Sequence, residues 1–139
     1  MLILFVSCDK SLISYSDIIS INSLEDFRNI MRDNEFVKVS DNYKWEEYEL
    51  FLDNKSNNNK PIKSFYEFES DSFWLDYRKG SSPNKKEYSQ FFSFVKSNAI
   101  NVNDKLSVDV EEFIVFYYNE KFIWFSTSKK NMSVLITNI

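Results

Sequence analysis

FIVFYYNEKFIWFS, residues 113–126, is an apolar, β-rich stretch with polar residues at its middle, and it predicts a β-hairpin. Asparagine tolerates the left-handed backbone of tight hairpin turns, so we predict a turn at Asn119-Glu120. The three cross-strand pairs that follow from this turn are apolar on both faces: Tyr117 with Phe122, Phe116 with Ile123, and Val115 with Trp124. Such a strand pair must be covered on both faces. We therefore expect it at the centre of a sheet, with a helix on one side and more protein or a partner on the other.

A second hairpin is predicted with its turn centred on Asp71-Ser72. Its register pairs Phe68 with Leu75 and Tyr66 with Tyr77 on an inner face, and Glu69 with Trp74 and Glu67 with Asp76 on an outer face. Two carboxylates directly opposite each other destabilise a strand pair by up to about 1 kcal/mol, and a basic partner would remove that cost. The tryptophan beside them is of the kind that anchors protein interfaces. The alternative is a solvated face whose tryptophan packs beneath a neighbouring loop.

Two helices are predicted outside the hairpins. Ser23 begins a capping box followed by apolar residues at helical spacing, which indicates a helix from 24 to about 33. Ser82-Pro83 is a typical helix start, and the apolar spacing continues to about Asn98.

The remaining β-rich stretches complete the predicted fold. They are residues 2–6, 36–39, 45–52, 106–110 and 134–137. Residues 9–21 are ambiguous, and 45–52 also fits a helix, because Trp45, Tyr48 and Leu52 are helically spaced. The length of 139 residues suits one domain. We expect a single α+β domain over residues 1–139, an antiparallel β-sheet packed with about two α-helices and without an internal repeat.

The N-terminus, MLILFVSC, has two interpretations. It is either a buried strand or the end of a bacterial lipoprotein signal that would anchor the protein to the envelope through Cys8. A secretory leader begins with basic residues, and here no Lys or Arg precedes Lys10, so the strand is favoured.

Missing residue types exclude several chemistries. The chain has no His, which excludes His general bases and His-ligated metals. Its single cysteine cannot form an intramolecular disulfide, and Gly80 alone cannot supply a phosphate-binding glycine loop. We therefore expect no cofactor and no metal. For catalysis, the remaining routes are paired carboxylates acting as acid and base, or a metal site formed by Asp and Glu.

Acidic residues are concentrated in one part of the chain. The overall net charge is −4, whereas residues 41–76 contain nine acidic and four basic residues, a net charge of −5, together with several aromatic residues. Such a surface repels nucleic acid and membrane phosphates and attracts basic proteins. The basic residues near the second helix start, including Lys85 and Lys86, are interpreted as solvated.

The candidate partner-binding residues follow from these observations. The first group comes from the outer face of the second hairpin and comprises Glu67, Glu69, Trp74 and Asp76. The second group comes from the preceding acidic stretch and comprises Glu46, Glu47 and Asp53.

In its size, its acidity and its carboxylates beside aromatic residues, the chain resembles, at class level, the immunity proteins of bacterial contact-dependent inhibition and other polymorphic toxin systems. The resemblance implies a cytoplasmic antitoxin without enzymatic activity. Such a protein binds a cognate toxin domain, often a basic nuclease, and blocks its active site or substrate surface. The implied partner is thus a protein, not nucleic acid or a membrane.

Two alternatives belong to other classes. A small hydrolase or carbohydrate-active enzyme using paired carboxylates would have a concave pocket around them. An envelope lipoprotein anchored through Cys8 would have a basic leader encoded upstream.

Overall fold

The computed structural model describes residues 13–52, 60–77, 82–108, 111–128 and 132–138. The elements in these ranges are α1 (Tyr15–Ile19), α2 (Leu24–Asp33), β1 (Val37–Asp41), β2 (Trp45–Leu50), β3 (Ile62–Glu67), β4 (Ser72–Asp76), α3 (Ser82–Asn98), β5 (Ile100–Val108), β6 (Glu111–Tyr118), β7 (Lys121–Ser126) and β8 (Ser133–Asn138). The predicted strand at residues 2–6, and with it Cys8, lies outside the described residues.

The strands of the described ranges form one antiparallel sheet of eight, in the order β1-β2-β3-β4-β8-β7-β6-β5. It consists of two four-stranded meanders that join through their last strands, β4 and β8. Each meander follows a helix in the chain, α2 in the first half and α3 in the second. The predicted α+β class with an antiparallel sheet is confirmed, although the order of one helix and four strands occurs twice without a repeat in the sequence.

Helix α2 begins and ends where the sequence predicts. The Ser23 hydroxyl accepts a hydrogen bond from the Asp26 backbone N–H at 3.1 Å, and the Asp26 carboxylate accepts one from the Asn22 N–H at 3.1 Å. The first bond satisfies one of the backbone donors that a helix start leaves unpaired, and the second fixes the residue before the cap to the first turn. Helix α3 also agrees with the prediction. The short helix α1 lies within residues 9–21, for which the sequence was ambiguous.

The β6–β7 hairpin has the predicted register, with Tyr117 opposite Phe122 and Val115 opposite Trp124. Its turn residues Asn119 and Glu120 both have left-handed backbones, with φ of 56° and 60°, as a type I′ turn requires. The predicted position at the sheet centre is wrong. The hairpin is interior, but β8 pairs with β7 and with β4, so the two meanders meet at β4–β8.

The register predicted for the second hairpin is also wrong. The turn comprises four residues, Phe68 to Asp71, and Tyr66 pairs with Phe73 instead of Tyr77. Asp71 adopts a left-handed backbone (φ 50°) and accepts a 2.7 Å hydrogen bond from the Tyr66 hydroxyl, which stabilises this longer turn. Each partner shifts by four residues, an even number, so the side chains keep their predicted faces.

Helices α2 and α3 pack against one face of the sheet, here called the inner face, and α1 stacks its Tyr15 ring on Phe91 of α3. Phe27 of α2 contacts the rings of Tyr48, Tyr66 and Phe73. Phe92 of α3 packs edge-on against two rings of the second meander, Phe116 and Phe125. The opposite side of the sheet, the outer face, carries Glu47, Phe65, Trp74, Leu135 and Trp124.

Other strands differ from the prediction mainly at their ends. Residues 45–50 form a strand instead of the alternative helix, with alternate side chains on opposite faces. Strand β5 begins at Ile100, six residues before the predicted start. Its first part was missed because the sequence there is rich in Asn and Asp, which are depleted in strands. No helix in the described part of the chain is long and apolar enough to cross a bilayer.

Candidate functional site

A cavity of about 570 Å³ opens on the outer face of the first meander. Acidic and aromatic side chains dominate its lining, which consists of Tyr43, Lys44, Trp45, Glu47, Phe65, Glu67, Glu69 and Trp74. This volume is within the range of 300–1,000 Å³ that is typical of ligand pockets. We call it the acidic-aromatic cavity.

The alternation of side chains along the strands determines which residues form the floor of this cavity. Glu47 is the register partner of Phe65, and Phe65 is in turn the partner of Trp74. The next outward position on the first two strands brings Trp45 opposite Glu67. Because side chains on one face of a sheet recur every second residue, three short strands bring these groups together without any insertion in the fold.

Two turns form the rim. The Asn42 side-chain oxygen accepts hydrogen bonds from the backbone N–H groups of Lys44 (2.7 Å) and Trp45 (3.1 Å), an Asx turn that positions Tyr43. The Phe68 N–H donates to the Lys44 carbonyl at 3.0 Å. This bond ties the β1–β2 turn to the β3–β4 turn, which carries Glu69.

The carboxylates of the cavity differ in their partners. Glu47 accepts a 2.8 Å hydrogen bond from Lys63, whose ammonium also lies 3.3 Å from Glu49. Glu67 accepts a 2.9 Å bond from the Trp74 indole N–H. Among the described residues Glu69 has no ion-pair partner, and it is exposed. Lys63 therefore compensates the charge of Glu47, whereas in the described ranges no ion pair involves Glu67 or Glu69.

Four of the predicted partner-binding residues line the cavity: Glu67, Glu69, Trp74 and Glu47. Asp76 lies on the same face of β4, where its register partner is Lys63. The predicted opposition of Glu67 and Asp76 is therefore absent, because the observed register separates them. Asp53 lies outside the described residues.

Glu46 is a correction to the prediction, because it points to the inner face. It is only 2% exposed and accepts hydrogen bonds from the Arg28 guanidinium and the Tyr48 hydroxyl. The bonds from Arg28 hold the pKa of this carboxyl below its usual value. Glu46 joins α2 to the sheet and does not reach the candidate site.

Sequence reasoning missed several members of the site. It did not single out Tyr43, Lys44, Trp45 or Phe65 as contact residues, although all four line the cavity. The sequence does contain a signal for two of them, because Trp45 and Phe65 alternate along their strands with residues of the inner face. The Asx turn at Asn42 and the contact between the two turns depend on the tertiary structure.

Apolar surface adjoins the cavity. Five of the seven bulky apolar side chains that are exposed in the described part of the chain lie between residues 37 and 51: Val37, Val39, Tyr43, Trp45 and Phe51. The outer face also continues from Trp74 through Leu135 to Trp124, which are register partners on adjacent strands. An exposed apolar surface beside a polar cavity is typical of a protein interaction site.

Neither metal ligands nor known relatives identify this site. Within the described ranges, no three His, Cys, Asp or Glu side chains are grouped so that they could hold a metal ion. Comparisons with protein-family models, with curated proteins and with solved structures find no significant match to the chain.

Proposed function

We propose that this protein is an immunity-type binding protein that neutralises a basic toxin domain, such as a nuclease, through the acidic-aromatic cavity and the surface around it. One observation supports this proposal above the others. Three glutamates and four aromatic side chains surround a single concave site on the sheet face opposite the described helices.

The charge of the site favours a basic partner. The lining contains three acidic side chains and one lysine. A concave acidic surface concentrates field lines, which accelerates encounters with positively charged proteins. Aromatic side chains in the same place supply the buried contact area that dominates interface energetics. In such a complex the carboxylates take the places that nucleic-acid phosphates occupy on a nuclease.

The test is direct binding to the protein encoded by the gene immediately upstream, because an immunity gene follows the gene for its toxin. We expect a complex with a dissociation constant in the nanomolar to micromolar range, and inhibition of the toxin domain's activity. No complex at micromolar concentration would refute the proposal.

A matched pair of variants tests the location of the contact. Glu67→Gln with Glu69→Gln should weaken the complex by about tenfold or more, equivalent to about 1.4 kcal/mol. The control is Glu25→Gln on the exposed side of α2, which removes one negative charge, as each of the two substitutions does alone, and should leave the affinity within about twofold. An equal effect of Glu25→Gln would indicate a general effect of net charge instead of a localised contact.

The concave shape of the cavity also favours a second candidate, a hydrolase with paired carboxylates. In that mechanism one carboxyl donates a proton to the leaving group while the other acts as base or nucleophile. Glu67 and Glu69 would be the pair. Turnover of nitrophenyl glycosides that is lost in both Glu67→Gln and Glu69→Gln would favour this candidate over the binding protein.

A further inference from the structure

We infer that the acidic-aromatic cavity is a receptor for an arginine side chain of the partner, whose guanidinium stacks on the aromatic rings and pairs with Glu67 and Glu69. This inference rests on the proposed function and specifies the group that the site recognises.

The aromatic rings of the cavity differ from those of the core. Core rings such as Phe91 and Phe125 pack against one another at centroid distances near 5 Å. Among the described residues, no ring–ring contact involves Tyr43, Trp45, Phe65 or Trp74. Within this part of the structure no other ring therefore covers Trp45, Phe65 or Trp74, and all three line the cavity.

A cation already lies at the rim of the cavity. The Lys44 ammonium lies 5.5 Å from the centroid of the Tyr43 ring, within the range of a cation–π interaction. In the described part of the chain no such cation lies over Trp45, Phe65 or Trp74. Indole is the most favourable ring for this interaction, so the two strongest cation-binding faces of the site are unoccupied.

The carboxylates are placed to complete the recognition. Trp74 donates to one oxygen of Glu67, and a carboxylate has about four acceptor sites, so Glu67 retains capacity for further donors. Glu69 on the adjoining turn is exposed and lacks an ion-pair partner among the described residues. A negative charge is thus present beside the available ring faces.

Arginine fits this combination better than lysine. Its guanidinium is planar, more weakly hydrated than an ammonium, and able to stack on a ring while it donates to carboxylates in its own plane. A lysine ammonium is a compact point charge that cannot do both with the same geometry.

The experiment uses the three tryptophans as reporters. The ¹⁵N-labelled full chain gives one indole N–H signal from each of Trp45, Trp74 and Trp124, assigned through single Trp→Phe variants. The probe is the capped tripeptide Gly-Arg-Gly, and its neutral isostere contains citrulline in place of arginine. We expect saturable shifts of the Trp45 and Trp74 signals with the arginine peptide, and several-fold weaker binding of a Gly-Lys-Gly peptide. The Trp124 signal should not move, because Trp124 lies on β7, outside the cavity lining.

Conservative variants locate the carboxylates. Glu67→Gln keeps an acceptor for the Trp74 indole, and with Glu69→Gln it should raise the dissociation constant of the arginine peptide at least threefold. Glu25→Gln should not. Equal shifts with the citrulline peptide, equal movement of Trp124, or no saturable shift would each overturn the inference.

Failure of the inference and failure of the proposed function give different results. If the basic toxin domain binds through Glu67 and Glu69 but the arginine peptide leaves the indoles unmoved, the arginine receptor is refuted and the proposed function stands. If the peptide binds but no basic domain does, the proposed function is refuted, and with it the assignment of the arginine to a partner protein.

Discussion

Glu46 and Glu47 are adjacent in the sequence, but we expect their substitution to have different effects on unfolding free energy, on its pH dependence and on partner binding. Glu46 lies between the sheet and α2 and is 2% exposed. Glu47 lies on the outer face, where its side chain is 17% exposed and pairs with Lys63. The same substitution, Glu→Gln, therefore tests which face each side chain occupies.

The magnitudes follow from these environments. In Glu46→Gln the Arg28 guanidinium loses its charged partner, but its side chain is 50% exposed and water replaces part of the lost interaction. We therefore expect a loss of about 2 kcal/mol of unfolding free energy, typical of hydrogen bonds to charged groups. Arg28→Met instead leaves the Glu46 carboxylate buried without its charged partner, and should cost about 3–5 kcal/mol. Glu47→Gln should cost less than about 1 kcal/mol, as for partly exposed pairs.

The pH dependence gives the Glu46 effect a signature. Because Arg28 lowers the pKa of Glu46 in the folded state, the ion pair's contribution is complete above the unfolded pKa of about 4.3. It is lost as the pH falls through the lower folded pKa. The stability difference between the wild type and Glu46→Gln should therefore be full at pH 7 and shrink below about pH 4.

Urea unfolding at pH 7 and below about pH 4 measures the differences in unfolding free energy. Binding of the basic toxin domain provides a second measurement. Glu47→Gln should slow association by about twofold, whereas Glu46→Gln should leave it unchanged where both variants are folded. Equal losses of stability in the two variants, or a larger loss of binding in Glu46→Gln than in Glu47→Gln, would show that the two side chains do not occupy opposite faces.

The β6–β7 turn, the hydrogen bonds of the buried tyrosines and the surface charge can each be tested separately. Replacing the left-handed residue Glu120 by Gly should stabilise the protein by about 1 kcal/mol and raise its melting temperature, because glycine accepts positive φ without strain; a lower melting temperature would contradict the type I′ turn. Tyr15→Phe removes a 2.6 Å donor from the buried Glu87 carboxylate and should cost about 1–3 kcal/mol in urea unfolding. Tyr77→Phe, which removes only a 3.3 Å bond to Tyr15, should cost less, and the reverse order would show that this network is misassigned. The association rate with the basic toxin domain should fall by about tenfold or more from low to high salt in stopped-flow measurements, and a constant rate would exclude electrostatic steering.

The predictable part of the fold is the part that local chemistry determines. The Asn119-Glu120 turn and the cap at Ser23 each need only a few adjacent residues, and both agree with the structure. The register predicted for the second hairpin is wrong because its turn is four residues long. The hydrogen bond from Tyr66 to Asp71 stabilises this turn, and the prediction assumed a turn of two residues. The junction of the two meanders depends on the pairing of β8 with β4, a contact between distant parts of the chain.

The alternation of side chains along each strand predicts which residues share a face of the sheet, and this part of the candidate site is predictable from the sequence. Alternation along the strands places Glu67 and Trp74 on the outer face, and the four-residue shift of register leaves them there. The local density of acidic residues predicts that Glu46 is a contact residue. However, Glu46 is two positions from Tyr48 and therefore lies on the same, inner face of the strand. The rim could not be predicted, because it requires two turns from different hairpins to meet through the Phe68 to Lys44 hydrogen bond.

The β4–β8 ladder has a consequence for the kinetics of folding. Within each meander the strands pair with their neighbours in the chain, whereas the ladder joins Phe73 to Ile136, roughly 60 residues away. Closing so long a loop carries a larger entropic cost than forming a hairpin, so we expect the two halves to acquire structure first and to dock afterwards. The rate of docking then determines how long the unpaired edges of β4 and β8 remain open to association with other chains.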